Sequence, residues 1–211
     1  MRIVTVFNSR PLHGTQEYHP SHVVALQEQV AKWAPGAQFE CLTDVPISGV
    51  PTLPLRHRFP GWWAKMELLS PEVPGDFLFM DLDTVLTGPL DDILAQRELT
   101  LLRDFYRDGK KYKEGLGGGL MYLPEESRAP VWKYWMTNPA YNMRLYSRGD
   151  QFLFERFWLQ SAKRWQDVVP GQVVSWKVHC VGDIVPPNAR LVAFHGKPRP
   201  WGVGKFRELY K

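Results

Sequence analysis

Four apolar residues in a row, Phe77-Leu78-Phe79-Met80, are stopped at once by Asp81-Leu82-Asp83. An unbroken apolar run of strand length has no solvent face, so it belongs in the middle of a sheet covered on both sides. That commits the chain to an α/β architecture. Open α/β sheets bind ligands beyond the carboxyl ends of their strands, which is where Asp81 and Asp83 fall. The flanking sequence agrees: residues 2–8 alternate and are rich in β-branched side chains, a strand pattern. Val23, Leu26, Val30 and Trp33 then recur at helical spacing behind a capping Ser21, and Pro35-Gly36 ends the helix. Phe39–Leu42 supplies a second strand. The chain therefore opens β-α-β, a unit that makes parallel strands.

Residues 44–60 hold four prolines and read as a loop, and 61–69 reads as a short helix stopped by Ser70-Pro71. Further strands are expected at 98–103, 118–123, 173–178 and 190–194, and helices at 125–136 and 150–163. The 211 residues contain no repeat, low-complexity tract or linker, so residues 1–211 read as a single domain. Cys41 and Cys180 share no metal or redox spacing and read as ordinary buried thiols. No run of 18 apolar residues exists, so no transmembrane segment is expected. The opening MRIVTVFNSR reads as a first strand rather than a leader, which makes a cytoplasmic location the expectation.

The chain has 26 Lys and Arg against 22 Asp and Glu, unevenly spread. Residues 190–211 carry six basic residues and one acidic, leaving the remainder close to neutral. Nucleic acid would call for a broadly basic surface, whereas a basic segment on a neutral body suits a compact anion such as a diphosphate, or is a solvated tail.

Two segments carry residues with chemistry. Asp81 and Asp83 can converge on one hard cation where the backbone leaves its pleat, and such a cation clamps a diphosphate; an acidic turn reads the same letters without a ligand. In Ala193–Trp201 (AFHGKPRPW), His195 can join oxygen ligands on Mn²⁺, while Lys197 and Arg199 can neutralise phosphate. A proline-stiffened tail is the plain alternative. His13, His19, His22 and His57 share no spacing and read as surface residues. Among nine tryptophans, Trp62, Trp63 and Trp201 fall near these segments, where a sugar face could stack.

The order D-L-D, GLGGGLMYL, GDQ and HGKPRPW resembles the GT-A glycosyltransferases, most closely family 8 and its glycogenin-like members, over nearly the whole chain. That resemblance implies a GT-A domain, Rossmann-like, with a mixed, mostly parallel sheet flanked by helices, and residues 190–211 closing over the donor site. It implies transfer of a hexose, with retention, from a nucleoside-diphosphate sugar, a UDP-sugar, to an unidentified acceptor, with Mn²⁺ or Mg²⁺ as cofactor. Asp81 and Asp83 match the family's metal-binding pair, and Asp150-Gln151 match its pair near the reacting sugar carbon. Lys65 stands where the family has a base facing the donor phosphates. Val6 to Asn8, with Thr43-Asp44, match its nucleobase and ribose pocket. Aligning Gly196, Pro200 and Trp201 with the family's C-terminal signature puts Arg199 at its lysine and Ala193 at its histidine, two positions before His195. Gly117-Gly118-Gly119 replace its Asn-Ser-Gly and also read as a loop end. DLDTV is similar as well to the nucleophile motif of haloacid-dehalogenase-type phosphatases, and a sugar-nucleotide-binding protein without turnover is a third reading.

Overall fold

A computed structural model describes residues 1–11, 17–106 and 115–210; His13 lies outside them. The chain runs through β1 (Arg2–Phe7), α1 (Pro20–Trp33), β2 (Gln38–Thr43), β3 (Thr52–Pro54), a 3₁₀ helix at Gly61–Leu69, β4 (Phe77–Met80) and β5 (Thr84–Leu86). It continues through α2 (Asp91–Leu94), β6 (Thr100–Arg103), β7 (Leu116–Leu123), α3 (Glu125–Thr137), α4 (Pro139–Leu145) and α5 (Asp150–Trp158). The last part contains β8 (Lys163–Arg164), α6 (Trp165–Val168), β9 (Val173–Ser175), α7 (Trp176–His179) and β10 (Leu191–Ala193).

Seven strands form the main sheet in the order β3-β2-β1-β4-β7-β6-β8, and only β7 runs against the rest. Period-two alternation divides each strand between two cores. Ile3, Leu78, Met80 and Tyr122 pack with Val23, Leu26 and Val30 of α1 on one face. Val4, Phe77, Phe79 and Met121 pack on the other face with the 3₁₀ helix, Trp135 of α3 and Phe154 of α5. The fully buried FLFM run is thus a central strand, as its composition demands. A second sheet, β5-β10-β9, carries a smaller core that includes Trp176, Cys180, Phe194 and Phe206. Both cysteines are free and buried. Among the described residues no helix is long and apolar enough to cross a membrane.

Several sequence expectations need correction. The proline-rich 44–60 segment contains β3, paired in parallel with Cys41–Thr43; an edge strand tolerates Pro54, because only one of its sides needs backbone donors. The cap of α1 is His19 rather than Ser21: Pro20 takes the first helical position, and the His19 N–H donates to His22 Nδ1 at 3.2 Å. The strand expected at 173–178 stops at Ser175, whose hydroxyl accepts from Val178 N at 3.3 Å and caps α7. The helix expected at 150–163 stops at Trp158. His22 is buried, not a surface residue: its ring stacks on Trp201 with centroids 3.8 Å apart.

Candidate active site

The site forms where β4 ends. The strand still pairs at Asp81, whose N–H donates to Gly119 O of β7 at 2.9 Å, and the chain then folds into a turn closed by Thr84 N to Asp81 O at 3.1 Å. This is the departure from the pleat that the D-x-D pair needs. Both carboxylates line one cavity of about 450 Å³, together with Asp150, Gln151, His195 and Arg199. The glycine run lies inside β7 and is no loop end. A Cβ on Gly118 would stand 3.3 Å from Asp150 Oδ2 and 3.2 Å from Phe154, and one on Gly119 would stand 3.4 Å from Asp81 Oδ2. Bare backbone is what lets both carboxylates lie over the strand.

Lys65 joins them. Projected from the 3₁₀ helix, its ammonium lies 3.0 Å from Asp81 Oδ1 and 3.1 Å from Asp150 Oδ2, and it donates to Gly118 O at 3.2 Å. Burial alone would pull the lysine pKa down, but Asp150 and Asp81 outweigh burial and hold it above its ordinary value. Asp150 is the first residue of α5 behind Gly149, so the helix is not capped by its carboxylate; Oδ1 accepts from Gln151 N at 3.0 Å and Oδ2 faces the ammonium.

Asp83 is buried and gathers a different set. Arg199 is ion-paired with it, and Tyr18 donates its hydroxyl to Oδ2 at 3.1 Å. Arg199 also contacts Glu17 Oε2 at 3.1 Å and stacks over the Tyr18 ring at 5.0 Å. Lys197 reaches Glu17 Oε1 at 3.2 Å but is largely exposed. Burial and the Asp81 charge push the Asp83 pKa up to about 6, although Arg199 opposes them. Asp81 is likewise raised, by burial first, against the pull of Lys65.

A second cavity, of about 330 Å³, adjoins the first and shares Tyr18, Lys65, Asp81 and Arg199 with it. Its other walls include Val6, Asn8, Arg10 and Trp62. Asn8 is anchored, its Nδ2 donating to Phe59 O at 2.9 Å and Gly61 O at 3.3 Å. Asp44 accepts from Ser9 N at 2.8 Å and Ser9 Oγ at 2.6 Å, and Thr43 Oγ1 bonds Val45 O at 3.2 Å. Asp44 braces the loop that carries Asn8, Thr43 bonds only within its own turn, and neither lines a cavity. Trp63 is core, stacked on Trp135. Sequence reasoning passed over Tyr18 and Glu17. Their only signal was position, in the first loop after β1, at the carboxyl edge of the sheet.

His195 lines the cavity of the two aspartates, but its Nε2 is 2.7 Å from Ser175 Oγ and its ring stacks on Phe105. Burial and Lys177 lower its pKa, which keeps it neutral and able to offer a lone pair. Among the described residues no three His, Cys, Asp or Glu side chains converge on one metal position. Asp81 and Asp83 nonetheless suit a hard cation. Both offer carboxylate oxygens to one cavity, and burial, with the like charges beside them, holds their pKa values raised even with Lys65 and Arg199 in contact.

No family model and no curated protein matches the sequence. Solved structures do. The glycosyltransferase GlyE of Streptococcus pneumoniae TIGR4 superposes with a TM-score of 0.68 at 14% identity, covering 99% of this chain. The chain spans 58% of the GlyE chain. LgtC, a galactosyltransferase solved with donor and acceptor sugar analogs, gives a TM-score of 0.55 at 12% identity over 100% of this chain and 95% of its own. The bifunctional WbbM gives 0.64 at 11% identity over 98% of this chain and 48% of its own. At such identities the likeness is one of architecture, and it agrees with the single antiparallel strand in an otherwise parallel sheet: the chain has the GT-A fold of these glycosyltransferases.

Proposed function

We propose that the protein transfers a hexose from a nucleoside-diphosphate sugar, a UDP-sugar, to an acceptor, with retention of anomeric configuration. The observation that carries this reading is the seam. Lys65, Asp81, Tyr18 and Arg199 form the wall between two adjoining cavities of about 330 and 450 Å³. A diphosphate laid along that wall has its leaving oxygen beside Asp81 and its sugar over Gly118 and Asp150.

Asp81 and Asp83 would hold Mn²⁺ or Mg²⁺, which would supply Lewis-acid stabilisation of the departing diphosphate, and His195, on the same cavity wall, would join them as a ligand only on leaving Ser175. The chain's own residues do the rest. Arg199 and Lys197 place positive charge at the phosphates, and Lys65 fixes Asp81 and Asp150 in position. Asp150 and Gln151 line the reacting face of the sugar. Asn8, held by the backbone of Phe59 and Gly61 and steadied through the bonds of Asp44 to Ser9, presents a rigid edge to the nucleobase, with Thr43 behind it on the neighbouring strand. Residues 190–211 cover the donor from the side of Arg199. A phosphatase reading loses support, because Asp81 stands at the end of the fourth strand beside antiparallel β7 with an ammonium already on it.

The test is thermal stability with UDP, with and without Mn²⁺, together with release of sugar from UDP-sugars. Diphosphate and carboxylates repel until a cation joins them, so stabilisation should require metal; ligand at about 100 times its Kd adds roughly 2.7 kcal/mol. Equal stabilisation in EDTA removes the metal from the reading. Metal-dependent binding of UDP without sugar release from any donor leaves a binding protein without turnover.

A further inference from the structure

We infer that the segment 177–184 is a membrane-docking tip that seats the protein on an anionic lipid surface. The sheet β5-β10-β9 and its core hold the base of this segment, with Trp176 and Cys180 buried. Everything else from Lys177 to Ile184 is exposed. Val181 is 80% and Ile184 is 69% exposed, with Val178 exposed beside them. Three branched aliphatics within seven residues form a concentrated apolar tip rather than scattered surface residues.

The exposure is built into the backbone. Gly182 and Asp183 both have positive φ, 61° and 60°, and Ile184 N closes the turn onto Val181 O at 3.2 Å. Asp183 tolerates that conformation as few residues do. The left-handed pair presents Val181 and Ile184 on either side of a tight turn.

Charge and residue type choose the partner. Residues 176–211 carry seven Lys and Arg against two Asp and Glu. Lys205 reaches the tip itself, its ammonium 3.4 Å from Asp183 O, and Lys177 opens the segment. Protein interfaces are built on aromatic and arginine anchors and are depleted in lysine, whereas exposed aliphatics flanked by lysines, here Lys177 and Lys205, suit a headgroup layer of negative charge. The tip also adjoins the acceptor side of the site. The Lys177 ammonium would lie 3.3 Å from a Cβ on Gly196, and Gly196 and His195 line the larger cavity. Only that last placement rests on the transferase reading; docking itself does not.

The experiment is co-sedimentation with phosphatidylcholine vesicles and with vesicles containing about a third phosphatidylglycerol, at low and high salt. Wild type should bind the anionic vesicles, lose most of that binding in high salt, and ignore the neutral ones. Val181→Asp/Ile184→Asp and, separately, Lys177→Glu/Lys205→Glu should each weaken binding by at least about tenfold. Their thermal midpoints should stay near that of wild type, since all four positions are exposed. Absence of wild-type binding to anionic vesicles overturns the proposal, as does binding by the aliphatic variant at the wild-type level. So does a wild-type dimer in analytical ultracentrifugation that the aliphatic variant dissolves, which would make the tip a self-association surface.

Discussion

Replacing Lys65 with methionine leaves a side chain of similar length and no charge. The ammonium it removes lies within 3.1 Å of both Asp81 and Asp150, on a side chain only 10% exposed. Breaking a buried ion pair from one side costs roughly 3–5 kcal/mol, because the partner charge stays behind. Asp81 is 33% exposed, so water screens part of its loss and the lower end, about 3 kcal/mol, applies here. For a chain of this size that is a fall of roughly 6–12 °C in Tm at pH 7. The sign of the pH dependence follows. Burial already raises the Asp81 pKa against the pull of Lys65, and without the ammonium that pull is gone, so the folded variant binds more protons than its unfolded chain and gains stability as pH falls. The deficit against wild type should therefore shrink between pH 7 and pH 5, measured by calorimetry at each pH. Lys65→Arg should recover part of it, and Asp81→Asn should partly relieve Lys65→Met. A loss under about 2 °C at pH 7, or a deficit that grows on acidification, would refute the view of Lys65 as the counter-charge of the site.

Burial, with the help of His19, lowers the His22 pKa from 6.5 to about 4, so its contribution to stability is intact above pH 6.5 and lost as pH falls toward 4. His22→Phe, which keeps a ring against Trp201, should lessen that acid loss by on the order of 2–3 kcal/mol in denaturant titrations at pH 4.5 and 7.5; unchanged acid sensitivity would place the titrating group elsewhere. His195→Ala should raise the Mn²⁺ concentration needed for UDP binding, and Asp83→Ala should do so more, having removed a charged ligand; calorimetric titration showing no change for His195→Ala reduces that residue to its bond with Ser175. Gly118→Val should leave the sheet folded by circular dichroism yet abolish donor turnover, because its side chain enters the space of Asp150 and Phe154; turnover within about threefold of wild type would contradict the close approach there.

The parts of this molecule that sequence made legible are those where one local rule acts alone. FLFM has no polar face, so it had to be central, and the acid pair after it had to lie at the strand's carboxyl edge. The glycine run was ambiguous for a physical reason: glycine marks both a flexible end and a place where other groups approach the backbone, and only the positions of Asp81 and Asp150 decide between them. Tyr18 and Glu17 were invisible because their roles depend on Arg199, more than 180 residues away. His22 was misread as surface because its burial comes from Trp201 and Tyr210 and not from its own helix. Pro54 hid β3, since proline speaks against a strand everywhere except at an edge.

The latch between Arg199 and the first loop also sets the order of events in folding. Glu17 and Arg199 are separated by 182 positions and Asp83 and Arg199 by 116, so these contacts close very large loops. Closure over such a span costs roughly 4–5 kcal/mol of chain entropy, which only a preformed sheet can lower. The main sheet, whose β1–β2 and β6–β7 pairings are local, can assemble on a nascent chain well before residue 199 leaves the ribosome. Until then Asp83 has no guanidinium partner and the wall between the two cavities is incomplete. Whatever depends on that wall is thus acquired only after the main sheet has formed, and local opening of the Arg199 contacts should undo it on heating ahead of the sheet itself.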